Sequence, residues 1–470
     1  MAKLSLIEAD RKHLIHPVVS YRAHEARGVT ILDSAHGAYL RDADGRELLD
    51  AFSGLWCVNV GYGQQSIVAA ATEQMTRLPY ATSYFHFGSA PAIELAERLV
   101  SLAPASLQHV YFTLGGSDAV DSALRFITHY FNATGRPRKK HIIALERGYH
   151  GSSSVGAGLT ALPVFHRNFD LPLPHQHHIG SPYPYRNPAG NDAAAVIAAS
   201  VAALEAKVAA LGAANVAAFF CEPVQGSGGV IVPPVGWLKA MREACRRLDI
   251  LFVADEVITA FGRTGPLFAC AAEGVDPDLM TVAKGLTAGY APMGAVLMSD
   301  AVYQGIADGD ASAVIGHGHT YSAHPVSAAI GLEVLRLYHE GGLLANGIEQ
   351  GPRFAQGLDG LLEHPLVGDA RHRGLLGALE LVSDKNSKRR FDASLKLPDR
   401  IAAAAYRNRL VFRAFGDNIL GFAPALCYTS ADFDLMFERL EKTLDDVLDE
   451  PDVRAALSAR TAGSERVLEN

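Results

Sequence analysis

The chain has 470 residues, of which 49% are hydrophobic and 20% are charged. This balance supplies enough apolar side chains for packed cores and excludes an intrinsically disordered protein. The 42 basic and 50 acidic residues give a formal net charge of -8, so there is no electrostatic reason to expect a nucleic-acid partner. By its length, the chain is expected to form about two or three domains.

Local composition disfavours several further classes of protein. The N-terminal sequence MAKLSLIEADRKHLIH carries charges where a signal peptide needs an apolar core. The apolar stretch 193–204 runs into Glu205 and Lys207, well short of the ~20 residues of a membrane span. Five dispersed cysteines, none in CxxC spacing, indicate reduced thiols rather than disulfides or a zinc site. We therefore expect a cytoplasmic protein without a membrane partner or a metal centre.

Between about residues 110 and 298, short apolar runs alternate with helical patterns. In chain order, the predicted strands are HVYFTL, HIIAL, NVAAFF, ILFVAD, LMTVA and GAVLMS, and the clearest helices are SDAVDSALRFITHYF and GWLKAMREACRRLD. This alternation predicts an α/β fold with a large, mostly parallel sheet domain that is covered by helices on both faces. Ligands of such sheets bind beyond the carboxyl ends of the strands, so functional residues are expected there.

The pattern changes after Thr320. A long helix (HPVSAAIGLEVLRLYHE), two strands (LLGALEL and LVFRAF) and a C-terminal amphipathic helix with Ser430 as its N-cap predict a smaller α+β domain. The apolar residues of the last helix are Phe433, Met436, Phe437, Leu440, Leu444 and Val447. We assign residues 1–60 to an N-terminal segment that joins the small domain, 61–325 to the large ligand-binding domain and 326–470 to the small domain.

Charged residues follow two of the predicted strands. Asp255 and Glu256 end the run ILFVA, where carboxylates need a cation or hydrogen-bond donors. Capping of the next turn or pairing with Arg263 explains them equally well. Lys284 follows LMTVA, and lysine is the side chain that can form a Schiff base with an aldehyde and afterwards act as a base. Taken alone, a lysine at a strand end is more often a surface residue.

Three other strand ends complete the pattern. HVYFTL leads through Gly116 and Ser117 into a helix, where backbone amides, a hydroxyl and the helix dipole suit a phosphate. HIIAL leads to Tyr149 and His150, either of which could lie against a ring, and NVAAFF leads to Glu222. Taken alone, each motif also has an ordinary explanation. Gly116 and Ser117 could simply start a helix, Tyr149 and His150 could lie in a turn, and Glu222 could be a structural carboxylate. Together with the lysine and aspartate, they supply what pyridoxal 5'-phosphate requires: an amine, an anion at the ring nitrogen, a stacking face and a phosphate anchor.

The motifs also resemble a known family. GLWCVNVGYG, GGSDAVDSALR, GYHG, EPVQGSGG, ADEVITAFGRTG, AKGLTAGYAPMGAV, HTYSAHPVSAA and VFRAFGDN follow one another as in the class III, fold-type I pyridoxal-phosphate aminotransferases. The resemblance extends over nearly the whole chain. Within that class, the chain is most similar to the ω-amino acid and amine:pyruvate transaminases.

This resemblance implies roles for the residues at the strand ends. Lys284 would be the Schiff-base lysine, and Asp255 would pair with the pyridine nitrogen. The other residues implied at the cofactor are Gly116 and Ser117 at the phosphate, Val257 and Tyr149 on opposite ring faces, and Glu222. In this family, a threonine that matches Thr320 reaches the phosphate from the neighbouring subunit. The resemblance therefore implies a homodimer, which could assemble further into a tetramer.

Aromatic residues are implied at the substrate. Trp56 resembles the aromatic gate of the amine:pyruvate transaminases, although a tryptophan buried in a core is the alternative. Tyr84 and Phe85 would extend this wall, and Tyr149 would be shared between substrate and cofactor. An apolar wall favours amines with uncharged or extended carbon chains.

Arg413, in VFRAFGDN, aligns with the mobile arginine that binds a substrate carboxylate in this family. Its planar guanidinium can hold a carboxylate with two hydrogen bonds, although a salt bridge with Asp417 is the alternative. In ornithine- and γ-aminobutyrate-type relatives, a second glutamate five positions after that of the EP motif pairs with this arginine. Here that position is Ser227. This difference favours pyruvate over 2-oxoglutarate as the acceptor.

We therefore expect a transaminase that moves an amino group to pyruvate and forms L-alanine. The donor would be an ω-amino acid or amine, such as β-alanine, 6-aminohexanoate or a diamine. The alternatives are a taurine- or diamine-specific transaminase, or a decarboxylase or aminomutase of the same class. A non-catalytic binding module is disfavoured because Lys284 and Asp255 are both present.

Overall fold

The computed structural model describes residues 4–309 and 314–458. The strands in chain order are β1 (Leu32–His36), β2 (Tyr39–Asp42), β3 (Glu47–Asp50), β4 (Leu107–Thr113), β5 (His141–Leu145), β6 (Gln176–Ile179), β7 (Val216–Cys221), β8 (Leu251–Asp255), β9 (Leu279–Val282), β10 (Gly294–Ser299), β11 (Val367–Arg373), β12 (Leu376–Leu381), β13 (Leu410–Val411), β14 (Arg413–Phe415) and β15 (Ile419–Phe422).

The helices in chain order are α1 (Leu6–His13), α2 (Tyr21–Arg27), α3 (Ser53–Trp56), α4 (Gln65–Arg77), α5 (Ala90–Leu102), α6 (Gly116–Ala133), α7 (Gly156–Leu159), α8 (Pro163–His166), α9 (Ala193–Leu211), α10 (Trp237–Arg247), α11 (Ala269–Ala272), α12 (Asp300–Ala307), α13 (Pro325–His339), α14 (Leu343–Gly360), α15 (Leu397–Arg407), α16 (Ser430–Leu448) and α17 (Pro451–Ser458).

A seven-stranded sheet forms the centre of the fold, in the order β4-β10-β9-β8-β7-β5-β6. Only β10 runs antiparallel to its neighbours in this sheet, β4 and β9. The other neighbouring strands are parallel. The α/β class and all six predicted strands are confirmed. Strand β6 was not predicted, because its sequence QHHI lacks an apolar run.

Apolar cores lie on both faces of this sheet. Successive residues of β7 point to opposite sides, so that Phe219 packs in a core with Trp237 of α10, while Phe220 packs in a second core with Phe126 of α6. Because both faces are covered, the strand is apolar at every position rather than at alternate ones. This explains why the strand runs could be recognised in the sequence.

Two smaller sheets have the strand orders β1-β2-β3-β13 and β11-β12-β15-β14. The predicted strand LVFRAF is divided between them. Leu410–Val411 pairs in parallel with β3, and Arg413–Phe415 pairs antiparallel with β15. The C-terminal part of the chain thereby completes the N-terminal sheet and places Arg413 at the start of a hairpin.

The C-terminal helix α16 begins where it was predicted, but its N-cap is different. The Thr429 hydroxyl accepts a hydrogen bond from the Asp432 amide at 3.2 Å, and the Asp432 carboxylate accepts one from the Thr429 amide at 2.8 Å. Thr429 has the extended backbone that an N-cap requires, whereas Ser430 is already helical. The prediction of Ser430 as the cap is therefore wrong by one residue.

Helix α9 continues past the two charged residues that were expected to interrupt its apolar stretch. Its 19 residues make it long and apolar enough, by length and composition alone, to cross a membrane. In the structure α9 packs against α10 and β6. Its inward residues are Val196, Ser200, Leu204 and Val208. These contacts make α9 a covering helix of the central sheet.

Candidate active site

A cavity of about 250 Å³ opens at the carboxyl edge of the central sheet. Residues that follow or end five strands form its wall: Gly115, Gly116 and Ser117 after β4, Tyr149 and His150 after β5, Glu222 after β7, Asp255 and Val257 at the end of β8, and Lys284 after β9. All the residues predicted at the cofactor line this one cavity, except Thr320. They meet because parallel strands end at the same edge of a sheet.

Lys284 occupies a strained turn at the bottom of this site. Its φ angle is 26°, in the left-handed region that residues other than glycine rarely adopt. Burial lowers the pKa of its amine, and the nearby Asp255 carboxylate opposes this effect. A lowered pKa keeps more of the amine neutral, which is the form that attacks an aldehyde and accepts a proton.

Asp255 is held by three donors. Its carboxylate oxygens accept hydrogen bonds from His150 Nδ1 at 2.8 Å, from Thr281 Oγ1 at 3.0 Å and from the Val257 amide at 3.1 Å. The His150 ring is buried against Phe220, and its Nε2 atom has no partner among the described residues. Three donors on one carboxylate fix its direction.

Glu222 supports the turn that carries Tyr149. One carboxylate oxygen accepts a hydrogen bond from the Tyr149 amide at 2.9 Å, and the other accepts one from the Gly226 amide at 2.8 Å. Burial raises the pKa of Glu222 to about 7. The bonds to neighbouring amides are those of a structural carboxylate, and the residue also lines the cavity. Tyr149 packs edge-on against Phe165, which leaves it in the cavity wall.

The start of α6 lies at the cavity and has the features that can bind an anion. This 18-residue helix has no side-chain cap, so its first amides remain available to a ligand. A side chain at Gly116 would place its Cβ 3.0 Å from Val257 Cγ1, which shows how closely the two walls approach. The Ser117 hydroxyl accepts a bond from the Ser152 amide at 3.2 Å and can still donate its own proton.

Of the two ordinary explanations for the paired carboxylates, capping of the next turn holds for Glu256, and pairing with Arg263 holds for neither residue. Glu256 accepts hydrogen bonds from the amides of Ala269 and Cys270, so it caps a turn away from the cavity. Arg263 donates to Asn59 Oδ1 at 2.8 Å and to backbone carbonyls. Asp255 is thus left facing the cavity.

Arg413 lies exposed at the start of β14. Its guanidinium carbon is 5.2 Å from the centre of the Phe415 ring. The alternative salt bridge with Asp417 is not formed, because Asp417 pairs with Arg147 at 2.5 Å and Arg390 at 3.7 Å. No ion pair within residues 4–309 and 314–458 involves Arg413.

Trp56 does not take the wall position that was expected. Only 4% of it is exposed, in an apolar cluster with Phe415 and Ile258, and Ile258 in turn lines the cavity. The Trp56 ring is 6.1 Å from that of Phe415. Trp56 therefore lies behind the cavity wall in this chain, and its role as an aromatic gate for the substrate stays a prediction.

Three expected site residues lie outside the cavity of this chain. Tyr84 and Phe85 are 37% and 81% exposed, and Thr320 is also exposed. The Thr320 carbonyl accepts a hydrogen bond from Tyr80 at 2.9 Å. Within residues 4–309 and 314–458 of one chain, these three residues do not line the cavity with the residues predicted at the cofactor.

Two residues at the site were missed or misplaced by sequence reasoning. His150 was one of two candidates to lie against a ring, and the structure shows it bonded to Asp255. Thr281 was not singled out, although it pairs with Asp255 across β8 and β9. The strand register needed to find Thr281 is a tertiary property. Cys57 also lines the cavity, and all five cysteines are free.

One cluster of possible metal ligands lies at the N-terminus, where no metal was expected. Asp10 accepts hydrogen bonds from His16 Nε2 at 2.6 Å and His24 Nε2 at 2.8 Å. The three ligand atoms lie within 4.8 Å of one another. The carboxylate and the two rings satisfy one another through these bonds.

The residues of the cavity fit pyridoxal phosphate. The donor set comprises an amine with a lowered pKa, a carboxylate opposite it and an uncapped helix start. These groups match the aldehyde, the ring nitrogen and the phosphate of that cofactor. Lys284, Asp255 and Ser117 would hold these three parts.

Comparisons with known proteins agree with this site. The family described as aminotransferase class-III matches residues 21–444. The chain is 41% identical to putrescine--pyruvate aminotransferase of Pseudomonas aeruginosa, over 93% of this chain and 94% of that protein. It is 38% identical to diaminobutyrate--2-oxoglutarate transaminase of Halomonas elongata, over 94% and 96%.

Solved structures agree as well. The omega transaminase of Pseudomonas jessenii in complex with PMP superposes with a TM-score of 0.93 at 38% identity, over 96% of this chain and all of that one. An (S)-enantioselective omega-transaminase from Thermomicrobium roseum gives 0.92 at 37% identity, over 94% and 98%. The chain belongs to the class III aminotransferases, which are enzymes that depend on pyridoxal phosphate.

Proposed function

We propose that this aminotransferase uses pyruvate as its acceptor and forms L-alanine. The donor is an ω-amino acid or an amine, and a diamine is the first to test. The observation that carries this proposal is that Arg413 forms no ion pair with a carboxylate among the described residues. A planar guanidinium that is free of internal partners can bind the carboxylate of pyruvate with two hydrogen bonds.

Two further observations support pyruvate and a diamine. Ser227 places an uncharged residue where the sequence comparison with γ-aminobutyrate-type enzymes expected a glutamate. The similar putrescine--pyruvate enzyme covers almost the whole chain. The diaminobutyrate--2-oxoglutarate enzyme is nearly as similar, so the acceptor must be measured against 2-oxoglutarate.

The chain's own residues divide the work of the reaction. When bound, pyridoxal phosphate supplies an aldehyde and an electron-accepting ring. Asp255, oriented by His150 and Thr281, would hold a proton on the ring nitrogen. The Lys284 amine would move a proton between the substrate carbon and the cofactor carbon, and burial supports this role because it lowers the pKa of the amine.

The remaining contacts would position the cofactor. Gly116 and Ser117 bind the phosphate, and Val257 and Tyr149 cover the two faces of the ring. Glu222 holds the Tyr149 turn in place through its two bonds to backbone amides. All of these residues line the same cavity, which supports these roles.

A homodimer would complete the site. Thr320, Tyr84 and Phe85 are exposed in one chain, which fits a Thr320 that binds the partner's phosphate and aromatic side chains at a subunit boundary.

Within each subunit, we assign the large domain to 61–325 and the small domain to 1–60 with 326–470. Five free cysteines fit the reducing cytoplasm as the site of action.

Arg413→Ala tests the proposed acceptor. Loss of the guanidinium should raise the KM for pyruvate about tenfold or more and should spare the half-reaction with an amine that has no carboxylate. The measurement is alanine formed, with pyruvate or 2-oxoglutarate as the only acceptor.

Arg407→Ala is the matched control, because Arg407 is an exposed arginine of helix α15 that does not line the cavity. Equal losses for pyruvate and for the simple amine in Arg413→Ala would contradict the role of this arginine. Faster turnover of the wild type with 2-oxoglutarate than with pyruvate would contradict the proposal that pyruvate is the acceptor.

A further inference from the structure

The hairpin that carries Arg413 also carries a carboxylate in its turn. Arg413 and Phe415 are alternate residues of β14 and share one face, and the guanidinium lies over the Phe415 ring at 5.2 Å. The turn 416–418, which follows β14, contains Asp417, four residues after Arg413. An anion at this turn is an internal competitor for a guanidinium that must bind a substrate carboxylate.

Arg147 forms an ion pair with the Asp417 carboxylate. Arg147 Nη2 lies 2.5 Å from Asp417 Oδ2, and Arg390 Nη2 is more distant, at 3.7 Å. Arg390 also donates to Glu380 at 3.3 Å, so its charge is shared between two carboxylates. The closest cation to Asp417 is therefore Arg147, which precedes Tyr149 by two residues.

Several contacts fix the Arg147 side chain in this position. Its Nε and Nη2 atoms both donate to the Gly228 carbonyl, at 3.0 and 2.5 Å. Its guanidinium carbon also lies 5.6 Å from the centre of the Tyr183 ring. A preorganised guanidinium loses little freedom when it pairs, which favours Arg147 over the exposed Arg413 as the partner of Asp417.

We propose that Arg147 is a positioning residue that determines specificity for carboxylate substrates. It neutralises Asp417 and thereby leaves Arg413 free for the substrate. This inference rests on the proposed role of Arg413. Ser227 removes one possible internal partner of Arg413, and Arg147 removes the other.

Arg147→Gln in the holoenzyme tests the proposal. Glutamine can still donate to the Gly228 carbonyl but carries no charge, so Asp417 becomes available to Arg413. The KM for pyruvate should rise roughly three- to tenfold, while kcat and the half-reaction with an amine lacking a carboxylate stay within about twofold of wild type. Addition of Asp417→Asn should restore the KM, and Asp417→Asn alone should not raise it.

Recovery of the KM in the double variant Arg147→Gln with Asp417→Asn distinguishes the positioning role of Arg147 from simple structural support of the hairpin. A supporting pair would be damaged by either single substitution and would not recover in the double variant, and that result would overturn the proposal. An unchanged KM in Arg147→Gln would also overturn it. If Arg147→Gln does not fold, Arg147→Lys replaces it, and a smaller rise in KM that Asp417→Asn abolishes is expected.

The proposed function and this inference fail in different ways. Arg413→Ala is measured beside the other variants. If Arg413→Ala leaves the KM for pyruvate unchanged, the role of Arg413 is wrong. If Arg413→Ala raises it and Arg147→Gln does not, only the role of Arg147 is wrong.

Discussion

Burial shifts two ionisable side chains of the cavity towards their neutral forms. It lowers the pKa of Lys284 and raises that of Glu222 to about 7, from a usual value of 4.5. For Lys284 the shift would serve the proposed chemistry, because the neutral amine is the reactive form. For Glu222 the shift makes stability depend on pH, because a protonated form is preferred only in the folded protein.

Glu222→Gln should remove part of this pH dependence. Because the folded pKa lies above the unfolded one, the stabilising effect of Glu222 is complete below about pH 4.5 and is lost as the pH rises through about 7. The wild-type apoprotein should lose on the order of 1–3 kcal/mol of unfolding free energy over this interval through this group. Urea unfolding of the apoprotein at several pH values measures the slope.

The exposed Glu243→Gln serves as the control for this experiment. Glu222→Gln should give a flatter profile than Glu243→Gln. It should also be less stable at low pH, since one of the two backbone amides loses its acceptor. Parallel profiles for the two variants would show that Glu222 does not titrate in this way.

Sequence reasoning found the residues whose position depends only on where a strand ends. Asp255 and Lys284 follow apolar runs directly, so the rule for parallel sheets brought them together. The bond between His150 and Asp255 and the burial of Trp56 depend on side-chain packing and on strand register. No local pattern encodes those features, and they could not be predicted.

At the level of elements, the long apolar runs predicted the presence of strands correctly, but they did not predict where each strand begins and ends. LVFRAF is one continuous pattern, but the structure uses Leu410–Val411 and Arg413–Phe415 in different sheets. The division is decided by which strands are available as partners. It matters for function, because it places Arg413 in a hairpin next to the turn that carries Asp417.

The N-cap of α16 offers a test at this scale. Thr429→Ala removes the hydroxyl that accepts the Asp432 amide and should lower the free energy of unfolding by about 1 kcal/mol. Ser430→Ala removes only a long contact of 3.3 Å with Gln350 and should change it by less than about 0.5 kcal/mol. Urea denaturation of both variants gives the comparison, and a larger loss for Ser430→Ala would assign the cap to Ser430 instead.

At the level of the whole molecule, one chain contains the cofactor residues but not all the residues proposed for the site. Lys284 and Asp255 line the cavity, whereas Thr320 and Phe85 are exposed elsewhere on the surface. Enzymes with shared sites are usually built on twofold symmetry, so that each subunit completes the other. The separation of Lys284 from Thr320 makes this arrangement testable.

Hybrid dimers should recover activity if Thr320 acts across the interface. A dimer of one Lys284→Ala chain and one Thr320→Ala chain contains one site with both residues and one site with neither. Purified through two different tags, this hybrid should show about half of the wild-type activity per dimer. The two parent homodimers provide the controls. Activity no higher than the mean of the two parents would place Thr320 in its own subunit's site, or in none.

The most direct test of the central claim is to identify the residue that binds the cofactor. The holoenzyme is reduced with borohydride, digested and analysed by mass spectrometry, with Lys284→Ala treated in the same way. We expect a pyridoxyl group on Lys284 in the wild type and on no peptide of the variant, which should also be inactive. A label on another lysine, or an active Lys284→Ala enzyme, would contradict the account.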